Sequence, residues 1–288
     1  MQIITLTTDL GTKDNYVAQL KAKLYSSCPN VLIVDVSHEI DSFNIMQEIY
    51  QINGCINDFP DGTIHVLGVD SEPTVNLTEG RVINAPSILK YKNQYFIGAD
   101  NGSFGLLLNE DEPQGLWRIQ DVLSNPKNMK DPTKFMLLPA AIALFNGKDI
   151  ADFAEEVDIH SYLNSIPYKP RISQNEIVAS IIHVDFYGNL IINVRENEFR
   201  RFGDTPFEII LNRKNIRKID RLSGSYGDVG FGEPVAFFNT ANYLEIALNK
   251  STIGNRGGAT NMLSLNVGDQ ILIRFTPIGS ATSLNEIL

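Results

Sequence analysis

Over the first hundred residues, short β-branched runs alternate with segments of helical period. Residues 2–7, 31–36 and 63–69 carry the runs, each followed by turn chemistry, and residues 15–27 and 43–57 carry the helical pattern. In the second helix Phe43, Ile45, Ile49, Ile52 and Ile56 form the apolar stripe, and "DFPDG" closes it. Alternation of this kind predicts βαβ units and parallel strands. Meander-like strands follow at about 82–90 and 94–98, then a loop-rich region around "EDEPQG" and "SNPKNMKDP". "TKFMLLPAAIALFNGKD" reads as a helix closed by Gly147, with Pro139 in its first turns, where proline costs little.

The period is lost in "HSYLNSIPYKPRISQNE", residues 160–176, which is polar and holds two prolines. A domain boundary is expected there. Beyond it "IVASIIHVD", "NLIINV", "FEIIL", "PVAFF", "YLEIAL" and "DQILIRF" are short strands between glycine and asparagine turns. The fold expected is an α/β N-terminal domain with a central, mainly parallel sheet over residues 1–165, and a C-terminal all-β, barrel-like domain over 166–288.

Composition narrows the function classes. With 288 residues, 43% hydrophobic and 20% charged, the chain is that of an ordinary globular protein. A net charge of −10 and a pI near 4.9 argue against nucleic acid as main ligand, because phosphate binding draws on clustered Lys and Arg. Apolar stretches such as "FMLLPAAIALF" fall short of the roughly 20 residues a membrane span needs, and the first residues show no signal pattern, so no membrane partner and a cytoplasmic location are expected. Cys28 and Cys55 have no CxxC spacing and read as buried, inert thiols.

Acidic and amide residues recur where strands end. Asp9 follows the first strand, Asp35 lies in the second, Asp70 ends the third, Asp100 and Asn101 follow "YFIG", and Asp185 with Asn189 sit in a turn of the second domain. Ligands of open parallel sheets bind outside the carboxyl ends of the strands, so Asp9 and Asp70 share a crevice if their strands are neighbours. Each is equally at home as a turn or N-cap residue. His38, His65, His160 and His183 have no metal-ligand spacing and read as structural. No phosphate loop is present: "GNRGGAT", with Arg256, lies among strands and reads as a flexible turn. Ser37 and His38 are adjacent, which puts them on opposite faces of a strand, and there is no GxSxG elbow.

Taken in order, "TLTTDLGTKDNYV", "VDVSHEIDSFNI", "FPDGTIHVLGVD", "YFIGADNG", "DFYGNLIINV", "GEPVAFFNTANYLEIAL" and "LNVGDQILI" resemble the S-adenosylmethionine hydroxide adenosyltransferases, relatives of the bacterial chlorinases and fluorinases. The matches run from residue 4 to 273. The resemblance implies a homotrimer that holds S-adenosylmethionine between the N-terminal domain of one subunit and the C-terminal domain of its neighbour. It implies no cofactor, since S-adenosylmethionine is the substrate. By resemblance Asp9 binds the ribose hydroxyls, Asp185 the methionine ammonium and Asn189 the adenine edge. Tyr187 and Tyr226 pack on the adenosine, and Thr240 meets the methionine end.

The implied chemistry is displacement at C5′ by water or hydroxide, with Asp70 as the catalytic carboxylate. Two positions depart from the family pattern. "DSEPTVNL" puts Leu77 where the family's Arg is expected, with Arg81 nearby, and "PTKFMLLP" puts Pro132 and Lys134 where a His and an Arg are expected. Asp70, with Glu72 or Lys134 beside it, is what remains. The function expected is hydrolysis of S-adenosylmethionine; the alternatives are a binding protein for S-adenosylmethionine or adenosine without turnover, and a halogenase.

Overall fold

The computed structural model describes residues 2–76, 81–109, 111–120, 127–158, 169–211, 218–255 and 257–276. The chain divides into two compact units, Met1–Pro167 and Tyr168–Leu288. Leu77, His160 and Arg256 lie outside the described residues.

In the first unit the strands are β1 (Ile3–Thr8), β2 (Leu32–Ser37), β3 (Ile64–Gly68), β4 (Thr74–Asn76), β5 (Arg81–Ile83), β6 (Pro86–Tyr91), β7 (Gln94–Ala99), β8 (Gly115–Ile119) and β9 (Ala154–Glu156). The helices are α1 (Tyr16–Ser27), α2 (Ile45–Cys55), α3 (Ser103–Leu108) and α4 (Leu138–Phe145). Seven strands form one sheet in the order β2-β1-β3-β7-β6-β8-β9. The pairs β1–β2, β1–β3 and β3–β7 are parallel, whereas β6, β8 and β9 pair antiparallel. Thr8 pairs with Gly68 at the ends of β1 and β3, which brings Asp9 and Asp70 to one edge of the sheet.

Strands β1, β3, β6 and β7 are buried on both faces, and one face supplies the core: Ile4, Leu6, Ile64, Val66, Ile88 and Ile97 are fully buried and pack with Leu20, Leu24, Leu137 and Leu138. Each such side chain contributes about 1.5–3 kcal/mol. His65 belongs to this interior: it bonds Thr5 Oγ1 (2.8 Å) and Gln94 Oε1 (2.6 Å) and stacks on Phe96. Burial lowers its pKa to about 4, which keeps the ring neutral.

Several expectations are corrected. Phe43 is not part of the α2 stripe: it precedes the helix at φ +65° and is 72% exposed, because Asn44 caps α2 by accepting the Gln47 N–H and so starts the helix after it. The single strand at 82–90 is broken at Asn84, φ +56°, into β5, which among the described residues pairs with β4 alone, and β6. Strand β3 stops at Gly68, so Asp70 stands in the following turn. The helix beginning near Thr133 opens with a π-turn over Thr133–Leu137 before α4.

The second unit contains β10 (Arg171–Ile172), β11 (Glu176–Val184), β12 (Leu190–Arg195), β13 (Phe207–Ile210), β14 (Lys218–Ile219), β15 (Pro234–Phe238), β16 (Tyr243–Leu248) and β17 (Gln270–Phe275), with short helices α5 (Glu196–Arg200) and α6 (Gly258–Leu263). All pairings are antiparallel, in the order β14-β13-β17-β11-β12-β16-β15, with β10 added to β11. The nine residues of β11 serve both halves, pairing β17 through Glu176–Ser180 and β12 from Ile181 on, and this bend wraps the sheet into a barrel-like form around Ile181, Ile192, Leu244, Ile246 and Ile273. The segment expected as a flexible turn at 254–260 instead leads into α6.

Candidate functional site

Asp9 leaves β1 at the carboxyl edge of the sheet, half-buried, and its Oδ2 accepts the Phe43 N–H at 2.9 Å. It does not cap α1, whose N-cap is Asn15. The loop carrying it is braced from β2: Thr8 Oγ1 lies 2.7 Å from His38 Nδ1, Gly11 N–H donates to the His38 carbonyl at 2.7 Å, and His38 Nε2 lies 3.2 Å from Asp35 Oδ1. Burial raises the pKa of Asp35, but hydrogen bonds from Lys21 and His38 outweigh it and keep the group below its ordinary range. Thr8 has no exposed surface, so this hydroxyl, imidazole and carboxylate series is a brace rather than a nucleophile.

Asp70 stands in the left-handed region at φ +46°, a strained setting for a residue with a Cβ. Two side chains hold the backbone around it: Glu48 Oε1 accepts the Val69 N–H at 3.1 Å, and Asn101 Nδ2 donates to the carbonyls of Val69 (3.2 Å) and Asp70 (3.1 Å). Burial raises the pKa of Asp70, and the charges of Asp9 and Glu72 raise it further. Asp9, Asp70 and Glu72 therefore share one electrostatic environment. At Asp100, which follows β7, burial lifts the pKa to about 6 against the opposing charge of Arg118 on β8.

Close packing underlies the turn. A Cβ on Gly68 would meet Thr133 Cγ2 and Thr8 Cγ2 at 3.0 Å, and Ser71 Oγ lies 2.9 Å from Thr133 Oγ1. Pro132 precedes the π-turn as its N-cap. Lys134 is turned toward α1: its ammonium donates to Gln19 Oε1 and lies 5.2 Å from the Phe135 ring centroid. The Arg81 backbone pairs with Asn76 in the β4–β5 ribbon.

In the second unit the "DFYGN" turn is closed by Asp185. Its Oδ1 accepts the N–H groups of Tyr187 (2.9 Å) and Asn189 (2.8 Å), and its Oδ2 accepts Asn189 Nδ2 (2.9 Å). Gly188, φ +88°, and Gly258, φ +63°, let the α6 loop approach; a Cβ on Gly258 would lie 2.6 Å from the Tyr187 carbonyl. Glu245 on β16 is the hub beneath the turn, accepting from Tyr226 OH (2.7 Å) and Asn239 Nδ2 (3.2 Å) with Asn189 against it. Burial raises its pKa, Asp185 adds to the rise, and its hydrogen bonds oppose it. The structure thus joins Asp185, Asn189 and Tyr226 in one network. Tyr187 is exposed, edge-on to Phe186, and Thr240 is exposed in the β15–β16 turn beside Asn239.

Sequence reasoning missed Glu48, Phe43, Phe186 and Glu245. Glu48 had a signal, since it occupies the i+3 position of the stripe Ile45, Ile49, Ile52, a charged residue on a buried face. Phe43 and Phe186 carried none beyond adjacency to recognised motifs.

An α/β unit with carboxylates at the ends of neighbouring parallel strands, followed by an antiparallel β unit with its own acid and amide cluster, defines a two-domain class of ligand-binding folds. The model of the SAM hydroxide adenosyltransferase N-terminal domain matches residues 4–154, and that of its C-terminal domain residues 179–272. The chain belongs to the S-adenosylmethionine hydroxide adenosyltransferase family. It is 28% identical over 256 residues to the (R)-S-adenosyl-L-methionine hydrolase of Methanocaldococcus jannaschii, with 86% of this chain and 88% of that protein covered. To the fluorinase of Actinopolyspora mzabensis it is 23% identical over 278 residues, with 87% and 92% covered. The crystal structure of an uncharacterized conserved protein from Thermotoga maritima superposes with a TM-score of 0.76 at 25% identity, covering 94% of this chain and 99% of that one.

Proposed function

We propose that the protein hydrolyses S-adenosylmethionine to adenosine and methionine. Water attacks C5′, the C5′–S bond breaks with its electron pair leaving on sulfur, and the proton released from water passes to Asp70. The sulfonium is an activated leaving group, so the protein's task is to place the water in line and to receive its proton. The observation that carries the reading is Asp70 itself. It is held in a strained turn at the end of β3, and burial and its acidic neighbours raise its affinity for a proton. In this reading Asp9 takes the ribose hydroxyls, and the negative charge of Asp9, Asp70 and Glu72 draws the sulfonium cation. Asp185, Asn189, Tyr187, Tyr226 and Thr240 of a neighbouring subunit complete the pocket in a cytoplasmic homotrimer.

The binding-only reading is favoured by one observation, the commitment of Lys134 to Gln19 with Pro132 at the head of its turn. The relatives named fluorinase raise a third reading. A halide beside Asp70 and Glu72 would be repelled. Incubation with S-adenosylmethionine, with and without halide, followed by chromatography, separates the three. Adenosine with methionine supports hydrolysis, a 5′-halo nucleoside supports the halogenase, and calorimetric binding without product supports the binding protein.

A further inference from the structure

Glu48 is a buried carboxyl that the proposed reaction does not use. It lies in the first turn of α2 with no exposed surface, its Oε1 on the Val69 N–H and its Oε2 without a partner among the described residues. A buried carboxylate left half-satisfied is expensive, so a leucine would serve the core better unless the acceptor oxygen is needed. It is needed at one place. Strand β3 ends at Gly68, so the Val69 N–H has left the sheet ladder and requires an acceptor where the chain turns left-handed into Asp70. Asn101 grips the two carbonyls of the same turn, and its own Oδ1 accepts the Ser103 N–H at 3.1 Å.

We propose that Glu48 is a positioning residue for the reaction, holding the Gly68–Val69 peptide that leads into the turn so that the Asp70 carboxylate faces the attacking water. This rests on the hydrolase reading. Burial first, and then the charges of Asp9 and Asp70, favour the neutral form of Glu48 against the opposing Val69 bond. What the turn takes from Glu48 is therefore an acceptor oxygen, and glutamine can supply one.

The test compares Glu48→Leu and Glu48→Gln in the full chain, with circular dichroism for folding, calorimetry for S-adenosylmethionine affinity and turnover for kcat. E48L should keep its affinity within about threefold and lose on the order of 10–100-fold in kcat, the cost of misplacing a reacting group. E48Q should restore kcat to within about threefold of wild type. In an Asp70→Asn background E48L should cause no further loss, because its effect acts through Asp70. The proposal is overturned by wild-type kcat in E48L, by equal impairment in E48Q, or by an undiminished loss in the D70N background. If E48L does not fold, Asn101→Ala removes the other half of the grip at a half-buried position, and unchanged kcat there overturns the proposal equally. Absence of turnover in the wild type sinks the hydrolase reading itself, and this proposal with it, and is told apart because every variant is compared with it.

Discussion

In the proposed reaction Asp9 and Asp70 divide the work between binding and chemistry. Asp9 is fixed by the Phe43 N–H and by a loop braced on His38, and the proposal has this carboxylate accept from two vicinal ribose hydroxyls. Asp9→Ala should weaken S-adenosylmethionine binding by about 1.5–3 kcal/mol, roughly 10–100-fold in Kd, by calorimetry, with kcat at saturation less affected. Asp70→Asn should do the reverse, lowering kcat by about 10²–10⁴ with affinity kept. Because the Asp70 pKa is raised, loss of activity on acidification should begin above the ordinary aspartate value of 3.8. A kcat/KM profile with no acidic limb attributable to Asp70, judged against D70N, would contradict its role as base. Asp9 and Asp70 were visible in the sequence as strand-end acids, but turn residues look the same there; strand adjacency in the sheet is what separates the two meanings.

At the level of elements, β1, β3 and β7 carry both the core and the site. His65 and Glu48 make opposite contributions to the pH dependence of stability. The folded pKa of His65, about 4, lies below its ordinary 6.5. The unfolded chain therefore binds the extra proton, and stability present above pH 6.5 is lost as pH falls toward 4, on the order of 3 kcal/mol for a shift of this size. The Glu48 pKa is raised above its ordinary 4.5, so its contribution is full below that value and is lost as pH rises through the folded pKa. Thermal unfolding of wild type and Glu48→Gln should show the balance moving in favour of E48Q between pH 4 and 8. A pH-independent difference would mean that Glu48 is already ionised in the folded protein.

The elements legible in sequence were those with a clear period: α1, most of α2, β1 to β3, β7 and the six longer strands of the second unit, while the two-residue β10 and β14 carry no such signal. Strands β8 and β9 and helix α3 were missed because they are short and lie in or beside a loop-like stretch. The split of 82–90 depends on Asn84, whose left-handed backbone is common enough for asparagine but is not announced by the flanking apolar residues. Glu245 was hidden because "YLEIAL" is buried at all six positions, so a strand with no alternation gives no face on which a glutamate stands out.

For the whole molecule, the matched family domains and the two compact units distribute the groups proposed to read the ligand, with Asp9 and Asp70 in the first and Asp185, Asn189, Tyr226 and the exposed Phe186 and Tyr187 in the second. The proposed homotrimer unites them between neighbours. Sedimentation equilibrium should give three times the 32.1 kDa chain mass, and a monomer that turns over S-adenosylmethionine would remove the need for a neighbour. The measurement that bears most directly on the central claim is turnover of S-adenosylmethionine in ¹⁸O-labelled water, with products resolved by mass spectrometry. Hydrolysis at C5′ should give adenosine and methionine in equal amounts, with the label in the 5′-hydroxyl and no dependence on halide. Tight binding with no adenosine, or adenosine without the label, would contradict it.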